Sequence, residues 1–243
     1  MKCLFEGLTD PGVVRPSNQD TYHIDSKGRF CIVADGMGGH AGGEEASRIA
    51  VSIVCNYLDQ HWASEIPSPE LLQLSIKSAN DAILGDQASH PSRADMGTTI
   101  LTVVFRPDGV WCAHVGDSRL YRFRAHQLEP ITEDHTWVAR AIGLGDISPE
   151  DARIHPWRHI LSRCLGRDDL NDADVAQLDW QVGDRLLLCS DGLTEELSDS
   201  LIAKYLASSD GNQAVTELVA AAKENGGRDN VTVVVVDYQQ SPC

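Results

Sequence analysis

Short runs of aliphatic and β-branched residues, joined by turn sequences, dominate the chain outside three amphipathic stretches. The run from Thr98 to Phe105 is followed by the turn residues Pro107-Asp108-Gly109 and by a second run from Val110 to Val115. This pattern is typical of a β-hairpin. Because a tight turn joins antiparallel strands, we expect the chain to build mainly antiparallel sheets.

Strand signals return in the C-terminal third of the chain. A second hairpin is predicted over Leu178 to Ser190, with Gly183-Asp184 as its turn. The β-branched run from Val231 to Val236 predicts a last strand.

Three amphipathic stretches predict helices that pack on the core. They extend from Glu44 to Leu58, from Leu72 to Ile83 and from Val215 to Ala222, before Gly226-Gly227. Grouped strands and helices favour α+β layers over alternating βαβ units. No internal repeat or Pro/Ser-rich linker interrupts the 243 residues, so we expect one domain.

Charge and composition argue against several classes of protein. The chain has 36 acidic and 20 basic residues, and its formal net charge of -16 would repel a nucleic-acid backbone. No window approaches the roughly 20 apolar residues of a membrane span, and the first residues lack the apolar core of a secretory signal. Seven cysteines without a Cys-x-x-Cys pair indicate reduced thiols. We therefore expect a cytoplasmic protein that binds neither nucleic acid nor membranes.

Four aspartates occupy matching places at the ends of predicted strands. Three apolar runs end at Asp35, Asp117 and Asp191, and Asp229 stands just before the last strand. An antiparallel sheet could bring all four carboxylates to one edge, where they would repel one another strongly without counter-charge. Ligation by oxygen alone favours hard divalent ions such as Mg²⁺ or Mn²⁺ over zinc.

Two neighbouring features suit the same chemistry. Glycine after Asp35 lets the backbone turn sharply, which would leave the Gly36 carbonyl free to serve as a ligand. Arg15, which lies near Asp20 in the segment GVVRPSNQD, offers a bidentate guanidinium that is well matched to phosphate oxygens.

Other phosphate chemistries leave signatures that are incomplete or missing here. The glycine-rich loop that follows Asp35 matches a relaxed dinucleotide-binding fingerprint, Gly36-x-Gly38-x-x-Ala41 with Asp59 downstream. The acidic residue before the first glycine and the missing βαβ alternation argue against a dinucleotide site. No Gly-Lys-Ser/Thr sequence ends the loop, no cysteine begins a Cys-x5-Arg sequence, and the nearest Asp-x-Asp motif, at 172–174, follows no apolar run. These residues leave open direct attack by a water that metal ions activate.

Six motifs extend nearly end to end along the chain. They are RPSNQD at 15–20, VADGMGGHAGGEEAS at 33–47, MGTT at 96–99, HVGDSRLY at 114–121, SDGLTEEL at 190–197 and GGRDNVTVVVV at 226–236. Together they resemble the metal-dependent type-2C (PPM-type) protein Ser/Thr phosphatases in their compact bacterial form. The overall likeness is greatest to stand-alone cyanobacterial members, among them the phosphatase of the PII nitrogen-signalling protein.

The resemblance implies an α+β fold with one catalytic domain over residues 1–243. Its form would be a four-layer α-β-β-α sandwich of two mainly antiparallel sheets flanked by helix pairs. It also implies hydrolysis of phosphoserine or phosphothreonine by a water that bridges two Mg²⁺ or Mn²⁺ ions. A third ion is expected as in bacterial relatives.

Metal ligands follow by position from the same resemblance. Asp35 would bridge the two metals, the Gly36 carbonyl would bind one of them, and Asp191 with Asp229 would complete the other. Asp117 together with Asp191 would hold the third.

The resemblance also implies roles around the phosphate. Arg15 would bind it, and Asp20 would support the site from behind the ligands. His40 is the candidate general acid that protonates the leaving oxygen. In the animal enzymes the corresponding histidine directly follows Asp-Gly, whereas three residues intervene here.

Periodicity weakens between residues 133 and 172, and long irregular segments of compact domains are usually lids or binding loops. This segment resembles the flap of the family, which lies beside the active site and affects substrate choice. Arg158 and His159 are its candidate substrate-binding residues.

The expected partner is therefore a phosphorylated protein, with PII suggested by overall likeness, and the chain is expected to be a monomer. An inactive phosphoprotein-binding or sensor domain that keeps the fold and the metals is the alternative. Chelator-sensitive hydrolysis of p-nitrophenyl phosphate would separate the two.

Overall fold

A computed structural model describes residues 2–39, 42–208 and 210–239 of the chain. Its strands form two sheets, and every strand pair in them is antiparallel. The strands are β1 (Lys2–Asp10), β2 (Asp20–Ile24), β3 (Phe30–Met37), β4 (Gly97–Thr98), β5 (Ile100–Arg106), β6 (Gly109–Val115), β7 (Arg119–Arg124), β8 (Gln127–Pro130), β9 (Asp174–Leu178), β10 (Arg185–Cys189) and β11 (Val231–Gln239).

The helices all lie between β3 and β11 in the chain. They are α1 (Gly42–His61), α2 (Ser68–Ser89), α3 (Trp137–Leu144), α4 (Pro149–Ile154), α5 (Asp191–Thr194), α6 (Asp199–Ser208) and α7 (Gly211–Glu224), with a short 3-10 turn at Pro91–Arg93. In the described part of the chain, no helix combines the length and the apolar character that crossing a bilayer requires.

The two sheets pack face to face. The first sheet has the strand order β1-β11-β10-β7-β8, and the second has the order β2-β3-β5-β6-β9 with β4 paired to β3. Side chains from both sheets meet in one buried layer, which includes Val33 and Val103 from the second sheet and Leu188 and Val234 from the first. This layer is the shared core of the sandwich.

Helices cover the outer faces of both sheets. Val233 and Val235 of β11 pack with Leu218 of α7, whereas their neighbour Val234 faces the other sheet. On the second sheet, α1 and α2 cover residues such as Ile32. A strand buried on both faces needs apolar residues at consecutive positions, which explains the unbroken run VTVVVV. The predicted α+β four-layer sandwich is confirmed.

The first predicted hairpin is confirmed, and the second is wrong. Strands β5 and β6 pair directly across the turn at residues 107–108. In contrast, β9 pairs with β6 in one sheet, whereas β10 lies between β7 and β11 in the other. The turn at Gly183, with a φ of 93°, therefore carries the chain from sheet to sheet. Local pattern predicts a turn between two strands, but it does not specify their partners.

The segment 133–172 is less irregular than its sequence predicts, because it contains α3 and α4. The Thr136 hydroxyl accepts a hydrogen bond from the Ala139 amide at 3.2 Å and begins α3, which Gly145 ends with a φ of 80°. The Ser148 hydroxyl accepts from the Asp151 amide at 3.1 Å and begins α4. Both helices are too short for a clear amphipathic period.

Leu188→Ala tests the position of β10 at the centre of the sandwich. Leu188 is 0% exposed, so the cavity left behind should lower the free energy of unfolding by about 3 kcal/mol. Denaturant titration with Mn²⁺ present measures the loss. Val182→Ala, at a side chain that is 55% exposed, is the matched control and should cost less than about 0.5 kcal/mol. Equal losses in the two variants would contradict this packing.

Candidate active site

Four aspartates from both sheets line one cavity of about 530 Å³ at an end of the sandwich. Asp35 lies near the end of β3 and Asp117 follows β6, both in the second sheet. Asp191 follows β10 and Asp229 precedes β11, in the first sheet. Because β10 and β11 are antiparallel neighbours, the end of one strand and the start of the other lie side by side.

These carboxylates are in an unfavourable environment. Burial, followed by repulsion from the neighbouring aspartates, raises the pKa of Asp35 and Asp191 well above the usual range. Burial, with Asp134 as the next cause, raises the pKa of Asp117 to about 7. Asp191 Oδ1 is buried without a hydrogen-bond partner among the described residues. An oxygen-only set with an unsatisfied buried carboxylate atom suits hard divalent cations such as Mg²⁺ and Mn²⁺.

The four aspartates share a cavity without forming a closed cluster. Within the described ranges, no three of them have carboxylate oxygens that all lie within 4.8 Å of one another. The ligating atoms of His159, Asp191 and Glu195 do meet that distance, and His159 Nδ1 contacts the Glu195 carboxylate. The sequence motif SDGLTEEL contains Glu195, but nothing local marked it for this position.

Gly36 occupies a place that no other residue fits. A Cβ added there would lie 2.0 Å from the Gly43 carbonyl oxygen. The flanking backbone is fixed by Thr99, whose amide donates to the Asp35 carbonyl at 2.8 Å and whose hydroxyl accepts from the Asp35 amide at 2.9 Å. The close approach of the loop to the start of α1 therefore depends on this glycine.

Asp20 lies directly opposite Asp35 in the pairing of β2 with β3. Its Oδ2 accepts hydrogen bonds from the Ser190 and Thr232 hydroxyls, each at 2.7 Å. Burial raises its pKa to about 6, although the hydroxyl bonds oppose the rise. Asp20 thus joins the second sheet to β11 of the first sheet behind the cavity.

Arg15 lines the cavity and pairs with Asp229, not with Asp20, which is the aspartate near it in the sequence. Its Nη2 donates to Asp229 Oδ2 at 2.6 Å, whereas the sequence placed it near Asp20. This bond is the first cause of the raised pKa of Arg15. The side chain remains 51% exposed, so its other N–H groups border the cavity opening.

Asn230 fixes the loop that carries Arg15, a role that sequence reasoning missed. Its side-chain amide donates to the carbonyls of Pro11 at 3.0 Å and Ser17 at 2.9 Å. Its Oδ1 accepts from the Gln19 amide at 2.8 Å. The place of Asn230 directly after Asp229 in the motif GGRDN is the only signal that could have identified it.

Three predicted site residues remain: Arg158, His159 and His40. Arg158 and His159 both line the cavity, beside Asp117 and Asp191. His40, the candidate general acid, lies outside the described residues.

His135 holds the loop that carries Asp117 and was also missed by sequence reasoning. Its Nδ1 accepts from the Gly116 amide at 3.0 Å, and its own amide donates to the Gly116 carbonyl at 3.0 Å. Its Nε2 faces both the Asp174 carboxylate, at 3.2 Å from Oδ2, and the Arg163 guanidinium, at 2.9 Å from Nη1. Burial, then the stacked His114 ring at 4.6 Å, lowers the pKa of His135 to about 4 and keeps it neutral.

Comparison with known proteins identifies relatives over nearly the whole chain. The family model described as Protein phosphatase 2C matches residues 15–226. The chain is 35% identical over 239 residues to the serine/threonine phosphatase stp of Listeria monocytogenes, covering 96% of this chain and 94% of that protein. It is 34% identical to the serine/threonine protein phosphatase PstP of Mycobacterium tuberculosis over 96% of this chain, but spans only 44% of that protein.

Solved structures agree with these sequence matches. The crystal structure of the M. tuberculosis phosphatase PstP/Ppp superposes with a TM-score of 0.91 at 33% identity, covering 98% of this chain and 99% of that one. A structure of the PstP catalytic domain in complex with two manganese ions superposes with a TM-score of 0.87 at 32% identity, covering 98% of this chain and 99% of that one. This chain therefore belongs to the protein phosphatase 2C family of PPM-type protein serine/threonine phosphatases.

Asp191→Asn tests whether carboxylate repulsion destabilises the metal-free protein. A carboxylate whose pKa is raised by folding lowers stability at neutral pH, because the unfolded chain ionises it freely. In chelator, the variant should melt about 2–4 °C above the wild type, equivalent to about 1 kcal/mol. Added Mn²⁺ should raise the melting temperature of the wild type more than that of the variant.

Scanning calorimetry with EDTA and with Mn²⁺ measures both effects. Asp81→Asn, at an exposed carboxylate on α2, is the matched control and should alter neither value. A variant less stable than the wild type in EDTA, with an undiminished response to Mn²⁺, would refute this account of the cavity.

Two substitutions of His135 separate its two hydrogen bonds. Asn keeps an acceptor close to the position of Nδ1, whereas Gln places its amide near Nε2 and leaves the Gly116 amide unbonded. Hydrogen exchange of the Gly116 amide should therefore accelerate about tenfold in His135→Gln and much less in His135→Asn. Equal acceleration in both variants would contradict the Nδ1 contact.

The lowered pKa of His135 predicts that the stability of the fold depends on pH. In the unfolded chain His135 titrates near 6.5, whereas the folded pKa is about 4, so lowering the pH through this window favours unfolding. The stability advantage of the wild type over His135→Gln should shrink by about 1.4 kcal/mol per pH unit below 6.5. His114, Asp174 and Arg163 face the ring and stay unchanged in this comparison. A constant advantage between pH 7 and 5 would contradict a neutral His135.

Proposed function

We propose that this chain hydrolyses phosphoserine and phosphothreonine in phosphoproteins with the help of Mg²⁺ or Mn²⁺. The observation that carries the proposal is the convergence of four aspartates from two sheets in one cavity, beside the guanidinium of Arg15. The family supports the reaction class, and the relative with two manganese ions supports Mn²⁺ as the ion.

Each candidate ligand has a part in this proposal. Asp35 and the Gly36 carbonyl would hold one ion, Asp35 with Asp191 and Asp229 a second, and Asp117 with Asp191 a third. When bound, the ions would make water acidic enough to act as a nucleophile near neutral pH and would neutralise charge on the phosphoryl group.

The protein's own groups would bind and orient the substrate. Arg15 has N–H groups beyond the one that Asp229 accepts, and two of them can bind phosphate oxygens in parallel. Asp20, held by two hydroxyl donors, would keep β2 and Asp35 in place. His40 would hold the proton that the leaving serine or threonine oxygen needs.

Arg158 and His159 would contact the substrate from the flap. Within the described residues the Arg158 guanidinium forms no ion pair, which leaves its positive charge for the substrate phosphate. His159 contacts the Glu195 carboxylate, so its contribution to substrate binding would depend on that contact. The phosphorylated PII protein is one candidate substrate, and cytoplasmic location and a monomeric state remain predictions.

Turnover of p-nitrophenyl phosphate and of a phosphothreonine peptide tests the proposal. Asp35→Asn should lower kcat/KM for both by at least about 10²-fold, because a carboxylate that holds the ions is lost. Arg15→Ala should raise KM about tenfold, with partial recovery in Arg15→Lys, which keeps the charge but loses the bidentate geometry. EDTA should abolish turnover, and Mn²⁺ should restore it.

Arg48→Ala, at a 61% exposed arginine on α1, is the matched control and should leave both reactions unchanged. Wild-type protein that binds a phosphopeptide without turning it over in Mn²⁺ would instead support a binding or sensor domain. A panel of phosphoproteins that includes phosphorylated PII would rank the substrates by kcat/KM.

A further inference from the structure

A second cavity, larger than the first, opens from the candidate active site. We call it the flanking cleft; its volume is about 1000 Å³, against about 530 Å³ for the cavity of the aspartates. The two cavities adjoin, since six residues line both: Asp117, Arg158, His159, Asp191, Glu195 and Arg228. A phosphorylated side chain in the first cavity would therefore leave the adjoining polypeptide at the mouth of the second.

One wall of the flanking cleft is apolar. It consists of Val138, Ala139 and Ile142 on α3 with Ala152 and Ile154 on α4. Ile154 is 81% exposed, which is unusual for a residue that borders a deep cavity. The short helices therefore present aliphatic side chains to the cleft rather than burying them all in the core.

Exposed apolar side chains are concentrated on the same segment. Leu144, Trp157 and Ile160 are each 49–69% exposed, as part of the stretch that carries Ile154. Together these four account for half of the large hydrophobic residues that are exposed in the described part of the chain. Single exposed apolar residues are ordinary. Of these four, Ile154 lines the flanking cleft, and the others belong to the same stretch of the chain, which indicates a contact surface there.

Another part of the wall is polar and acidic. It is formed by residues 194–200, which include Glu195, Glu196 and Asp199. Arg228 pairs with Glu196, and Glu195 contacts His159. Asp199 is exposed and accepts a long hydrogen bond, 3.3 Å, from the Tyr121 hydroxyl. A negatively charged substrate residue brought to this wall would be repelled, and a positively charged one would be attracted.

We propose that the flanking cleft binds the polypeptide next to the phosphorylated residue. An aliphatic side chain would pack on the wall of Val138, Ile142 and Ile154, and a basic or neutral residue would face Asp199. The preferred substrates are then phosphoproteins with an aliphatic residue within a few positions of the phosphate and without acidic neighbours. This inference rests on the proposed phosphatase function and specifies its substrate class.

Peptide specificity tests the proposal, with p-nitrophenyl phosphate as the reference because it has no flanking residues. Three phosphothreonine peptides are compared that differ only in the residues beside phosphothreonine, which are leucine, lysine or aspartate. For the wild type, kcat/KM should be highest with leucine and about tenfold lower with aspartate. In Ile154→Asp, the ratio of the leucine-peptide rate to the p-nitrophenyl phosphate rate should fall about tenfold, and lysine should become the preferred residue.

Val182→Asp is the matched control, since Val182 is also an exposed aliphatic residue, 55% exposed, and lies outside the cleft. It should leave the ranking of the peptides unchanged. The cleft is excluded as the binding site if the wild type turns over p-nitrophenyl phosphate but shows no peptide ranking. It is also excluded if Ile154→Asp and Val182→Asp have the same effect. Absence of turnover with every substrate in Mn²⁺ would refute the phosphatase function itself.

Discussion

The candidate site depends on repulsion between buried carboxylates at one end of the sandwich. The pKa of Asp35 and of Asp191 is raised first by burial and then by repulsion from neighbouring carboxylates, so folding places both groups where ionising them costs free energy. A binding site for cations is the physical consequence, since cations offset both causes at once. The scaffold must supply the rigidity that holds such groups together.

That rigidity comes from strands buried on both faces. Residues such as Val233 and Val234 pack alternately on the helices and on the opposing sheet, so apolar contacts hold β11 on both of its faces. Asp20, held by hydroxyls of Ser190 and Thr232, adds a polar link between the sheets directly behind Asp35. The aspartates therefore keep their positions although they repel.

Parts of this arrangement could be predicted because they depend on neighbours in the sequence. Helix α1, the hairpin of β5 and β6 and the aspartates at strand ends follow from periodicity, turn residues and spacing of a few positions. Other features could not be predicted, because they depend on residues far apart. The bond of Arg15 to Asp229 joins positions 214 apart, and His135 reaches Gly116 across 19 positions. The prediction of a hairpin over Leu178 to Ser190 was wrong for the same reason, because the partners of β9 and β10 are strands far away in the sequence.

The sequence by itself determined the kind of chemistry, through four aspartates at strand ends, one arginine and motifs that resemble a known family. Tertiary structure alone decided which groups meet: the two sheets that contribute a pair of aspartates each, the contact of His159 with Glu195 and the apolar wall beside the cavity. The physical reason is that local preferences act over a few residues, whereas charge repulsion and packing act between whichever atoms the fold brings close.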